Sequence, residues 1–135
     1  MAEIKISALE LLGSDDRGAN YNWDCNRIGT FMMCTRKAGS TSGQHYHEGK
    51  SGNKNPEIQF LVTGTVKIHY CGIHEKVIKV AVATAPARIE IPILLWHEVE
   101  AVTDCVLMEM NSLQDVQQDS VRIWRKDFEE RIKTL

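Results

Sequence analysis

The residues of this chain best suited to chemistry gather around Gly43-Gln44-His45-Tyr46-His47. Side chains in an extended strand alternate faces, so His45 and His47 point the same way and Tyr46 points oppositely, toward packing. Two imidazoles on one face can hold a metal ion or share proton-transfer work, because imidazole is a nitrogen ligand and also titrates near neutral pH. A second strand-like run, Glu57 to Thr63 and then Gly64, follows just beyond. Pro92-Ile93-Leu94-Leu95-Trp96-His97 supplies a third histidine inside another such run. As general base and acid, His45 and His47 could lift a proton beside a carbonyl and return it to the neighbouring carbon through an enediol. The plainer alternative is that the histidines satisfy hydrogen bonds in a polar interior.

The elements that must position these residues are mostly strands. Residues 3–12 read as an opening strand or extended arm, and 13–18 as a polar turn. Tyr21–Arg27 and Thr30–Thr35 read as strands, the second apolar on both faces at Phe31-Met32-Met33-Cys34. Lys37–Gly43 is a small-residue loop leading into the histidine strand. Glu48–Pro56 (EGKSGNKNP) is rich in glycine, asparagine and lysine, and predicts a mobile loop whose Lys50 and Lys54 are solvated or form a charged lid. Val66, Ile68 and Tyr70 alternate with Lys67 and His69, giving one buried and one wet face. Further strands are expected over Lys76–Val82, Arg88–Ile91, Trp96–Val102 and Cys105–Asn111. The period then changes, with Val121, Trp124, Phe128, Ile132 and Leu135 spaced by three or four. Acidic residues come early and basic ones late over about 126–134, which predicts a C-terminal helix packed on the strands. Nine or ten short strands with one terminal helix predict an all-β barrel or jelly roll.

Composition narrows the function. A chain of 135 residues with 43% hydrophobic and 25% charged residues fits one soluble domain with a proper core. A formal net charge of -2 offers no general attraction to nucleic acid or anionic membranes. No apolar run approaches a membrane-spanning length, and Met1-Ala2-Glu3-Ile4-Lys5 lacks the organisation of a secretory signal, so a cytoplasmic address is expected. Cys25, Cys34, Cys71 and Cys105 are scattered without CxxC pairing and read as free, small hydrophobes.

These residues together resemble the cupin family. Gly39, His45, His47, Glu57 and Gly64 match its first motif, and Pro92 and His97 its second. Two departures stand out: a nine-residue gap, EGKSGNKNP, between His47 and Glu57, and Leu94 and Ala101 where the family has glycine and asparagine. Trp96-His97-Glu98, Asp119-Ser120-Val121-Arg122 with Phe128 after it, and Asp16-Arg17-Gly18 are similar to the cupins that act as nucleotide-sugar 3,4-ketoisomerases. Those carry glutamine at the place of Glu57 and arginine-glycine at that of Ser42-Gly43. His45-Tyr46-His47 with Glu57 is closer to the epimerase cupin domains of capsular-sugar pathways.

The resemblance implies a single cupin domain over residues 1–135, a double-stranded β-helix with its barrel at about 20–111 and its helix at about 126–134. It implies an isomerase or epimerase of a nucleotide-linked keto sugar, with His45 and His47 catalytic and no organic cofactor. His45, His47, Glu57 and His97 would form a mixed nitrogen and oxygen site for Zn, Mn, Fe or Ni, able to polarise a carbonyl. Arg17 and Arg122 would hold a pyrophosphate, or else form surface ion pairs, and Trp96 would stack on base or sugar, or else belong to the core. A metal-dependent cupin of other small-molecule chemistry, such as a dioxygenase, and a non-catalytic ligand-binding cupin are the competing expectations. Phe31–Cys34 and Ile58–Val62 are apolar on both faces, more than one small barrel needs, so a homodimer is expected.

Overall fold

Alternation writes most of this fold. The computed structural model describes residues 2–135. Its strands are β1 (Lys5–Ala8), β2 (Glu10–Asp15), β3 (Gly18–Asn22), β4 (Met32–Arg36), β5 (Thr41–Tyr46), β6 (Glu57–Thr63), β7 (Thr65–Gly72), β8 (Lys79–Thr84), β9 (Ala87–Ile91), β10 (Leu95–Ala101), β11 (Cys105–Glu109) and β12 (Val121–Arg122). Helices α1 (Leu113–Gln118) and α2 (Arg125–Lys133) flank β12. Two antiparallel five-stranded sheets form, in the orders β1-β9-β6-β11-β4 and β12-β5-β10-β7-β8, and β2-β3 stands apart as a hairpin. No helix among the described residues is long and apolar enough to cross a membrane.

The inward residues of both sheets make the main core. Leu61, Val66, Ile68, Ile89, Ile91, Leu95, Val99 and Leu107 interdigitate there, each removed from water. Burying one such side chain contributes about 1.5–3 kcal/mol, so this layer holds the sheets together. Strand β6 is buried on both faces from Glu57 to Leu61 because its outer side is covered as well. Ile58, Phe60 and Met110 pack beneath Leu9, Cys25 and Phe31, and the Trp23 ring lies 4.4 Å from that of Phe60. The segment expected as a strand over Tyr21–Arg27 is therefore an irregular cover after Asn22, placed by its apolar side chains.

Helix α2 falls where the change of period puts it, within a residue. Phe128 stacks on Trp96 at 4.6 Å with the rings 7° apart, and Ile123 and Ile132 complete this outer cluster. Trp96 is fully buried and its indole N–H donates to the Ile123 carbonyl at 2.8 Å. Helix α1 has no counterpart in the sequence reading, yet Ser112 caps it and Asp115 closes the box in return.

The 48–56 loop is a correction. It is pinned rather than mobile, with Ser51 and Lys54 only 7% and 1% exposed. The Asp119 carboxylate accepts from the backbone N–H groups of Glu48, Gly49 and Ser51 at 2.7, 3.1 and 3.1 Å. The Asp115 carboxylate accepts from Ser51 Oγ at 2.6 Å and Asn53 Nδ2 at 3.3 Å. Arg27 donates to the carbonyls of Gly52 and Pro56. Two aspartates and an arginine distant in sequence thus supply the partners that water was expected to supply.

Candidate active site

His45 sits near the end of β5 and His97 in β10, directly opposite each other in the register. A bulge precedes them: Gly43 pairs with Glu98, and Gln44 is the extra residue, at φ 58°. Such bulges re-aim side chains next to functional sites. Here the backbone closes so tightly that a Cβ on Gly43, at φ +90°, would lie 3.0 Å from the His97 carbonyl oxygen. His47 follows just beyond β5, and Glu57 opens β6 on the facing sheet. The ring centroids of His45 and His47, and of His45 and His97, are 4.8 Å apart, and those of His47 and His97 5.2 Å. The three histidines can together hold a metal ion, with one ring nitrogen from each lying within 4.8 Å of the others.

The hydrogen bonds settle which nitrogens are available. His47 Nδ1 lies 2.5 Å from the Asp119 carbonyl oxygen and His97 Nδ1 lies 2.9 Å from that of Leu95. A carbonyl only accepts, so both Nδ1 atoms carry hydrogen, and in a neutral ring so oriented Nε2 is bare. Those Nε2 atoms face one oxygen, Glu57 Oε2, at 3.2 and 3.4 Å. Bare nitrogens and a carboxylate oxygen repel, so this geometry is stable with a proton or a metal ion among them. The buried Nδ1 of His45 and Nε2 of His97 also lack hydrogen-bond partners. On these grounds the donor set fits a divalent transition metal, with the Asp119 and Leu95 carbonyls orienting the rings.

The other Glu57 oxygen, Oε1, is held by Lys54 Nζ at 2.7 Å and lies 3.5 Å from Asn111 Nδ2. Burial pushes the Glu57 carboxyl toward the neutral form, but the Lys54 ammonium, with hydrogen bonds from His47 and His97 when a proton sits on their Nε2 atoms, outweighs it and holds its pKa well below the usual range. Burial and the neighbouring His97 push His45 down to about 2, so its ring is neutral. Glu109, inward on β11, goes the other way. Burial and the nearby Glu57 charge raise it to about 7. It accepts from Cys34 Sγ at 3.1 Å and Gln59 Nε2 at 3.3 Å. Burial and that carboxyl raise the Cys34 thiol to about 12, which keeps it protonated.

A cavity of about 390 Å³ opens against this cluster. Its polar wall is His45, His97, Lys54, Gln59 and Glu109, its apolar wall Met32, Val99, Leu107 and Val116, and its exposed rim includes Thr41, Leu113, Arg122 and Trp124. His47 and Glu57 lie behind the wall. Arg122 lies over the Trp124 ring at 4.6 Å and donates to the Gly43 carbonyl at 2.7 Å. Trp96 does not reach the cavity: it neighbours His97 in a strand, so it faces the opposite side, under α2. Arg17 is also elsewhere, 87% exposed at the hairpin tip and paired with Asp15 at 2.7 Å. Lys54 was expected in solvent or in a charged lid, and Gln59 and Glu109 escaped the sequence reading. Alternation through Glu57-Gln59-Leu61 and Leu107-Glu109-Asn111 was the available signal for the last two.

No protein-family model matches the chain, and no curated protein sequence does. Solved structures do. QdtA, a sugar 3,4-ketoisomerase from Thermoanaerobacterium thermosaccharolyticum in complex with TDP, superposes with a TM-score of 0.68 at 18% identity, over 97% of this chain and 95% of that one. A 3,4-ketoisomerase from Helicobacter canadensis gives 0.70 at 14% identity, over 98% and 99%. The dTDP-4-dehydrorhamnose 3,5-epimerase of Sulfolobus tokodaii gives 0.69 at 16%, over 91% and 78%. The fold is a cupin fold. Within the cupin barrel, Leu94 stands where the family motif has glycine, and its φ of 59° shows what that glycine is for.

Proposed function

We propose that this cupin is an isomerase or epimerase that moves protons on a nucleotide-linked keto sugar. The observation that carries the reading is the placement of His45 directly opposite His97 on the wall of a cavity large enough for a sugar. Near full-length likeness to two 3,4-ketoisomerases and one epimerase supports it. In this reading His45 takes the proton from the carbon beside the carbonyl, and the electron pair moves onto the carbonyl oxygen. The hydroxyl proton on that carbon passes to the new oxyanion, His45 returns its proton to the former carbonyl carbon, and the carbonyl reforms one position along. His47, held between the Asp119 carbonyl and Glu57, acts from behind the wall and keeps the cluster in register. Were His45, His47, His97 and Glu57 Oε2 to hold a divalent transition metal instead, Zn, Mn, Fe or Ni, the His45 lone pair would be committed to it and the metal would contribute by polarising a carbonyl oxygen. Arg122 with Trp124 at the rim suits a diphosphate and a base, charge for charge and face for face.

The whole chain would work as one domain, in the cytoplasm, and as a homodimer. Met33 at 68% and Val62 at 44% exposure, and Leu11, Leu12 and Tyr21 on the hairpin, are exposed apolar side chains that a second copy would cover. Light scattering at micromolar concentration is expected to give twice the chain mass.

The decisive experiment incubates the protein with dTDP-4-keto-6-deoxyglucose in D2O and follows the sugar by proton NMR. Exchange at the carbon next to the carbonyl, lost in His45→Asn, is expected. Wild-type protein that neither exchanges the proton nor binds dTDP would overturn the reading. One observation favours a second reading, a metal-dependent cupin of other small-molecule chemistry: the two bare Nε2 atoms converging on Glu57 Oε2. Stoichiometric metal in protein that ignores the sugar nucleotide would select it.

A further inference from the structure

The nine-residue insertion carries a charge into the barrel that no motif accounts for. Lys54 is 1% exposed, and the ammonium of such a residue is almost never buried without a purpose for its charge. Its Nζ binds Glu57 Oε1 at 2.7 Å, while the other oxygen of the same carboxylate faces the bare nitrogens of His47 and His97 at 3.2 and 3.4 Å. Glu57 is thereby divided, one oxygen for the lysine and one for the histidine cluster. Around it, Asp119 and Asp115 hold the loop at five points, from Glu48 to Asn53. What this clamping delivers to the interior is the lysine.

We propose that Lys54 is a built-in counter-cation of the histidine–glutamate cluster, that it limits Glu57 to one-oxygen coordination, and that it sets how tightly the cluster takes a divalent transition metal. The charge count gives the sign. Three neutral imidazoles, one carboxylate and one ammonium sum to zero; without the ammonium the set carries a negative charge and Oε1 is free. Affinity for a dication rises with the negative charge of its ligand set. Lys54 is therefore a positioning residue acting through Glu57. The proposal rests on the fit of the cluster to a metal and is independent of which substrate the cavity takes.

The test is chelator-competition titration of purified full-length protein with Zn²⁺, supported by Co²⁺ absorption spectra. Lys54→Met is expected to bind Zn²⁺ at least about tenfold more tightly than wild type, as removal of a neighbouring unit charge requires. Its Co²⁺ bands should weaken as Glu57 adds its second oxygen. Lys54→Arg, which keeps the charge, should restore wild-type affinity and spectrum, and Lys50→Met on the same loop should change neither. Metal uptake by Lys54→Met alone, with none by wild type, supports the proposal in its strongest form. Equal or weaker binding in Lys54→Met, the same gain in Lys50→Met, or no uptake by either protein would overturn it. If Lys54→Met does not fold without metal, Lys54→Gln removes the charge while keeping a donor for Oε1, and the same tightening is expected there. Loss of sugar-nucleotide turnover with this metal behaviour intact would overturn the isomerase reading and leave Lys54 where it is.

Discussion

The 48–56 loop and the β2–β3 hairpin are opposites. The loop has no strand or helix of its own, only an isolated bridge between Lys54 and Glu57, yet its polar groups are satisfied by distant residues and one of its lysines is buried. The hairpin is a paired ladder from Glu10↔Asn22 to Asp15↔Gly18, broken only by a bulge at Leu12, yet every residue of both strands is exposed. Regularity of backbone and anchoring to the body are therefore separate properties. A segment is held by where its polar groups find partners and by what it buries, not by the name of its secondary structure.

The largest effect should come from the two loop lysines. Lys54→Ala leaves the buried Glu57 without its ammonium partner and is expected to cost about 3–5 kcal/mol in urea unfolding. Lys50→Ala, at a position 66% exposed, should leave the midpoint unchanged. Equal losses would erase the contrast. Next comes Asp119→Ala, which strands three backbone N–H groups. A loss of about 2–3 kcal/mol is expected, with faster amide exchange over residues 48–56 but not over the hairpin.

Acid should loosen the loop for a related reason. Burial pushes the Asp115 pKa up, but the donors Ser51, Ser112 and Asn53 outweigh it and hold it at about 2, below the ordinary 3.8. Asp119 is lowered likewise by the loop's N–H groups, against its own burial. Folded-state values below the unfolded ones mean stability that is present above the unfolded pKa and lost as pH falls through the folded one. Amide exchange in the loop should therefore quicken between about pH 4 and pH 2. The double variant Asp115→Asn, Asp119→Asn should show no such step. The smallest effect belongs to the hairpin: Leu11→Asp with Leu12→Asp should leave the melting temperature within error while shifting light scattering from two chains to one.

How far the sequence carried depends on the range of the physics. Alternation is local, so the shared direction of His45 and His47 was legible, as were the main strands and the helix. The same rule, applied to Trp96 beside His97, places the tryptophan on the outside; its substrate role fails on an argument already available. Ser112 and Asp115 likewise spell a capping box for α1. The loop was different. EGKSGNKNP has the composition of a solvated segment, and the residues that fix it, Asp115 and Asp119, lie more than sixty positions away. No local signal announces a partner at that separation, and Lys54 was misread with the loop that carries it.

Asp119 serves both sides of the centre: its carbonyl sets the tautomer of His47, and its carboxylate fastens the loop that brings Lys54 to Glu57. Every ring and carboxylate of the cluster is encoded before residue 112, yet His47 and the loop carrying Lys54 are not finally held until residue 119 has left the ribosome. Assembly of the centre thus waits for a residue made after all of its histidines, and a nascent chain carries them for some time before it has a site.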